Sequence, residues 1–203
     1  MSGALLWILA ALGLTVVIVR RRSVAVALVT AQALILAGFA LHDANNAGDV
    51  VAAGALAMRG VALAALFLLL VSRTRERRPV HARVPPLVRA GVAVAFALTL
   101  TWLLPKLGLS SRADERTVLA LVAFGIVAVA TRRATLFQVL GIVLVENGLA
   151  LAALGLPRGA SLTIELGVAV DLTLIALVAG VFHERIFAEF GAGDSGALRT
   201  LRD

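Results

Sequence analysis

Four ionisable side chains stand deep inside stretches otherwise built mainly of Ala, Leu, Val, Ile and Gly: Arg59, Glu146, Glu165 and Asp171. A charge at the centre of a bilayer costs at least about 2.5–3.5 kcal/mol, so residues of this kind face a bundle interior, pair with one another and mark function. The chemistry open to them is proton exchange. Low dielectric favours a neutral carboxyl group and a nearby guanidinium favours its anion, and a group held between the two can pass a proton near neutral pH. One arginine cannot neutralise three acids. That imbalance favours a proton or ion pathway over a purely structural Arg59–Glu146 pair, and both readings stay open on the residues alone.

Counting along the spans puts three of the four at one level. Arg59 is the tenth residue of a span entering from outside, which at about 1.5 Å per residue lies roughly 15 Å deep. Glu146 is followed by ten more residues of an outgoing span and so lies at roughly the same depth. Asp171, eleventh in the last span, reaches a similar level. Glu165 is six residues earlier, about 9 Å nearer the outside and turned by roughly 120°. Gln32 and Asn147 add neutral polar groups at the common depth, while Gln138 and His183 fall nearer the cytoplasmic end. Together they trace a broken polar line across the membrane.

The elements that must position these residues follow from composition. The chain has 203 residues, 61% hydrophobic and 15% charged, with no cysteine. A soluble domain is roughly 45–50% apolar and about 25% charged, so a soluble enzyme is excluded. Without cysteine, disulfides, thiolate metal sites and an iron–sulfur cluster held by this chain are excluded as well. A membrane helix needs about 20 apolar residues. Seven segments qualify: Gly3–Val19, Ser23–Leu41, Val50–Ser72, Leu87–Leu104, Thr117–Thr131, Ala134–Leu156 and Ser161–Phe182. None alternates apolar with polar residues as a barrel strand does, so the expected fold is an all-α polytopic membrane protein. Arg20–Arg22 follow the first apolar run instead of preceding it, the reverse of a signal peptide, which marks that run as a retained helix.

Orientation comes from the arginines. Those after the first, third and fifth segments and in the C-terminal tail far outnumber Lys106, Arg112, Arg116 and Arg158 on the other side, placing the N-terminus outside and the C-terminus in the cytoplasm. The net charge of +7 is thereby read as a topology signal and not as a nucleic-acid patch. The RTRERR stretch can also meet anionic headgroups of the lipid bilayer or a cytoplasmic partner. A single integral membrane domain is expected over residues 1–203. Within it, residues 1–116 make a four-helix N-terminal region, residues 117–190 a three-helix region and residues 191–203 a cytoplasmic tail. His42, His81 and His183 lie at or beyond helix ends without ligand spacing, so no metal site is expected. No phosphate-binding loop, nucleophile motif or haem ligand pair appears.

Gly141, Gly148 and Gly155 recur every seven residues and share one face of the sixth segment. Such a stripe lets a neighbouring backbone approach closely. Glu146 stands about 200° around the helix from Gly148, away from that seam.

The last third carries a resemblance. Glu146-Asn147-Gly148 in one helix, followed by Glu165-Leu166-Gly167 and Asp171 in the next, resembles hydrogenase-4 component E, a membrane subunit of group 4 [NiFe] hydrogenases and formate hydrogenlyase complexes. The tail FAEFGAGDSGALRTLRD is similar to that family's end. The same three helices resemble the K subunit of bacterial complex I and the C subunit of multisubunit cation/proton antiporters. Those proteins carry intramembrane glutamates in their second and third helices. Glu146 fits the first, and either Glu165 or Asp171 the second. The resemblance implies a non-catalytic, proton-path subunit in a bacterial inner membrane, packed among antiporter-like subunits, with nickel–iron and iron–sulfur centres in other chains and no cofactor in this one. An anchor subunit of an antiporter-type complex and an independent small transporter are the alternatives.

Overall fold

A computed structural model describes residues 2–73, 84–132 and 134–155. These form six α-helices: α1 (Gly3–Ile18), α2 (Arg22–His42), α3 (Ala47–Arg73), α4 (Pro86–Leu103), α5 (Arg112–Thr131) and α6 (Thr135–Gly155). The seventh expected span, with Glu165, Asp171 and His183, lies outside the described residues. Among the described residues, four helices are long and apolar enough to cross a membrane: α2, α3 over Ala47–Leu69, α4 and α6. α1 is shorter, at 16 residues, and α5 opens on a charged turn. The chain is thus an all-helical protein of membrane character. In hydrocarbon every backbone N–H and C=O must be satisfied within the segment, which is why apolar runs of this kind fold as helices.

Helix starts depart most from the sequence expectation where polar side chains cap them. The fifth helix begins at Arg112 and not at Thr117. Ser111 is its N-cap: the hydroxyl accepts a hydrogen bond from the Asp114 N–H at 3.1 Å and donates to Asp114 Oδ2 at 2.7 Å. That Ser-x-x-Asp pattern is a capping-box signature in front of an apolar run. The third helix begins three residues before Val50. Asn46 Oδ1 accepts from the Asp49 N–H at 2.9 Å, and Asp49 Oδ2 accepts from the Asn45 N–H at 2.9 Å, closing the turn after α2. α4 starts on Pro86, whose missing N–H costs nothing in a first turn.

The α4–α5 connection is tied down over one end of the bundle. Both the N–H and the hydroxyl of Ser110 donate to the carbonyl of Gly155, at 3.1 and 2.8 Å, at the end of α6. Gly108 turns the chain with φ of 76°, where a side chain would be strained, and its N–H donates to Glu115 Oε1 at 3.1 Å.

α5 and α6 form the most extensive pair, with α1 and α4 also against α5. α2 lies against α1, α3 and α6. The core therefore runs between α1, α2, α5 and α6, through Leu9, Leu36, Leu121, Phe137, Leu140 and Leu144. α3 and α4 flank it and keep wide apolar faces outward, with Met58, Val61, Leu87, Leu98 and Trp102 exposed. Such faces suit lipid or a neighbouring subunit.

Candidate functional site

The centre of α6 carries the polar residues that matter. Glu146 lies eleven residues after Thr135 in a helix of 21, and Arg59 twelve residues after Ala47 in a helix of 27. Both are buried, and their side chains form an ion pair through Arg59 Nη1 and Glu146 Oε1. Arg59 Nη2 also donates to Asn147 Oδ1 at 3.3 Å. The Asn147 amide passes the chain on, donating to Gln32 Oε1 and to the Val29 carbonyl, each at 3.4 Å. Gln32 Nε2 ends it on the Leu9 carbonyl at 2.7 Å. One network thus links α3, α6, α2 and α1 at mid-helix, and Gln32 and Asn147 have no exposed surface.

Glycines make the room. A Cβ on Gly60, beside Arg59, would lie 2.9 Å from the Ala33 Cβ, so α3 closes on α2 just where Arg59 must reach across to α6. A Cβ on Gly13 would lie 3.2 Å from Gln32 Nε2.

The network leaves two atoms over. Glu146 Oε2 and Arg59 Nε are buried with no hydrogen-bond partner among the described residues. An unsatisfied carboxylate oxygen away from water is costly, so it is the atom of this cluster best placed to take a proton or a new donor. A small cavity of about 10 Å³ adjoins Arg59, lined also by Val26, Thr30, Phe67, Leu140 and Val143.

The glycine stripe of α6 faces a different neighbour. A Cβ on Gly141 would stand 2.8 Å from the Gly125 carbonyl oxygen, and one on Gly125 2.5 Å from the Gly141 carbonyl oxygen, so α5 and α6 touch backbone to backbone. A Cβ on Gly148 would lie 3.2–3.3 Å from Leu121, Val122 and the Val118 carbonyl. Gly155 differs, since a Cβ there would meet Leu109 at an ordinary 3.5 Å. Helix α6 therefore packs on α5 with one side and presents Glu146 to α3 with another.

Gln138 stands apart from the central network. It sits in the first turn of α6 and donates through Nε2 to the Arg132 carbonyl at 3.0 Å. Glu165, Asp171 and His183 fall outside the described residues.

Two residues of the structure carry no signal in the sequence. Gly125 is the partner that the α6 stripe needs, and no seven-residue repeat on α5 announces it. Arg89, in the first turn of α4, is fully buried, with no acceptor among the described residues on Nε, Nη1 or Nη2. Near it, Arg132 follows α5 and is also buried; its Nη2 donates to the carbonyls of Val17, at 2.9 Å, and Val19. Its guanidinium lies 4.1 Å from the centre of the Phe137 ring. Burial, and then the charges of Arg89 and Arg20, push the Arg132 group down to about 9.

No known family model matches the chain. No solved structure matches it. It is 32% identical over 169 residues to the uncharacterized protein Rv0085 of Mycobacterium tuberculosis, an alignment covering 80% of this chain and 76% of the relative. At that identity and coverage the chain belongs to the family of Rv0085.

Proposed function

We propose that the chain is a non-catalytic membrane subunit of a proton-translocating hydrogenase or complex I-like assembly, in which Glu146 is a carboxylate of the proton path and Arg59 its counter-charge. In this reading the chain spans a bacterial cytoplasmic membrane seven times with its N-terminus outside. Its neighbours are antiporter-like membrane subunits, and the redox centres belong to other chains. The observation that carries the reading is a mid-helix Glu146 bound to Arg59 through one oxygen while the other has no partner among the described residues. A carboxylate kept only for packing would have both oxygens satisfied. The Glu146-Asn147-Gly148 resemblance supports the same role, with Glu165 or Asp171 as a second acid.

Purification of a tagged full chain from native membranes tests the assembly: antiporter-like and hydrogenase-like chains should accompany it. Isolation as an active lone carrier would contradict the proposal. In the same preparation Glu146→Gln should assemble normally while losing coupled proton movement.

One observation favours a second reading, a structural anchor. The network of Arg59, Glu146, Asn147 and Gln32 ties four helices together and would fix their packing with no proton moving. An anchor predicts that Glu146→Gln leaves coupling intact while Arg59→Ala breaks assembly.

A further inference from the structure

One end of the bundle collects positive charge with nothing among the described residues to balance it. α1 and α5 finish there and α4 begins, so Arg20, Arg89 and Arg132 converge. Arg132 holds the last carbonyls of α1, one residue short of Arg20, and feels the charges of both Arg20 and Arg89. The acids among the described residues lie elsewhere. Asp43, Asp49, Asp114 and Glu115 are at the opposite end, and Glu146 is halfway along α6. A surface arginine needs no partner, but Arg89 is fully buried and none of its three nitrogens meets an acceptor among the described residues. Nε and Nη1 of Arg132 are equally bare. Removing a hydrogen-bonding cation from water without an acceptor is among the most costly arrangements in a fold, so the cluster requires an anion.

We propose that Arg20, Arg89 and Arg132 form a receptor for a phosphate group, the headgroup phosphate of an anionic phospholipid or a soluble phosphate of the same chemistry. A guanidinium fork matches two phosphate oxygens at a time. Among the described residues Arg89 has its fork free, and Arg132 still offers Nε and Nη1 as single donors. Three cations suit a group with several free oxygens better than a single carboxylate. The place fits as well. Arg89 is three residues into α4, about 4.5 Å along the helix, at the depth where headgroups give way to acyl chains. Beside it, Leu87, Val88 and Val92 leave an exposed apolar strip of α4 along which acyl chains can lie. Arg20 is the exposed member of the set, so the anion arrives from its side. By the arginine bias this end faces the cytoplasm, where bilayers carry anionic lipid. The receptor is independent of any proton path through Glu146.

The test uses the full chain purified in detergent. Native mass spectrometry measures retained lipid, and thermal unfolding is followed after adding phosphatidylglycerol, phosphatidylcholine or inorganic phosphate. Phosphatidylglycerol should stay bound and raise the Tm while phosphatidylcholine, whose choline cation cancels the charge, does not. Arg89→Gln and the solvent-exposed Arg20→Ala should each weaken retention by about tenfold, the loss of one charge-assisted contact. Arg112→Ala, at the other end of the bundle, should leave it unchanged. Protection by inorganic phosphate without lipid retention would uphold the receptor and assign it a soluble ligand. Equal retention in wild type, Arg89→Gln and Arg20→Ala would overturn it. So would loss of stability in Glu76→Gln or Glu184→Gln that matches Arg89→Gln with lipid unchanged, since Arg89 would then be paired within the chain.

Discussion

Arg59 and Arg89 are both buried arginines on helices that flank the same core, and the fold treats them in opposite ways. Arg59, deep in α3, has a carboxylate from Glu146 and an amide oxygen from Asn147. Arg89, in the first turn of α4, has no acceptor among the described residues on any nitrogen. Position explains the contrast. At mid-helix nothing outside the protein can neutralise a charge, so the partner must be built in. At a helix end the bilayer surface supplies anions, and a cation can be left for one.

That contrast predicts substitutions of opposite sign. Arg59→Met leaves Glu146 as an uncompensated buried charge and should cost about 3–5 kcal/mol in reversible unfolding from mixed micelles, with most of the loss restored in Arg59→Met/Glu146→Leu. Arg89→Met removes a group with no partner. In lipid-free detergent it should be neutral or stabilising by about 1–3 kcal/mol, and anionic phospholipid should erase that advantage. A destabilised Arg89→Met in lipid-free detergent would end the comparison.

The helix seam offers a graded check. Gly125→Ala, which sets a methyl group against the Gly141 backbone, should cost about 1–3 kcal/mol, whereas Gly155→Ala, with ordinary contact distances, should cost little. Smaller still is Ser111→Ala, expected to lose about 1 kcal/mol through the first turn of α5 and to shift hydrogen exchange only there.

Much of this is legible in the sequence because membrane depth is a simple count. A constant rise per residue sets Arg59 and Glu146 level with each other, and the structure joins them in one ion pair. The spacing of Gly141 and Gly148 likewise puts them on the face of α6 that meets α5. Arg89 is not legible. Near a span's end an arginine reads as a solvated topology signal, and only the packing of α1 and α5 around it makes it a buried cation. Gly125 is hidden for a similar reason, since a lone glycine gains meaning only from the helix it touches. The first turns of α3 and α5 are masked by their charges, although Asn46 with Asp49 and Ser111 with Asp114 carry the capping signal. The depth count places Gln32 at the right level, but its bond to the Leu9 carbonyl depends on an α1–α2 register that no such count contains.

The central claim is that Glu146 moves a proton and does not merely hold a helix. The most direct measurement is coupled proton translocation in membrane vesicles carrying the assembled complex, comparing wild type, Glu146→Gln and Glu146→Asp at equal assembly. The expected result is a loss of about tenfold or more in Glu146→Gln with partial activity in Glu146→Asp. Wild-type translocation in Glu146→Gln would contradict it and leave the Arg59–Glu146 pair as a packing device.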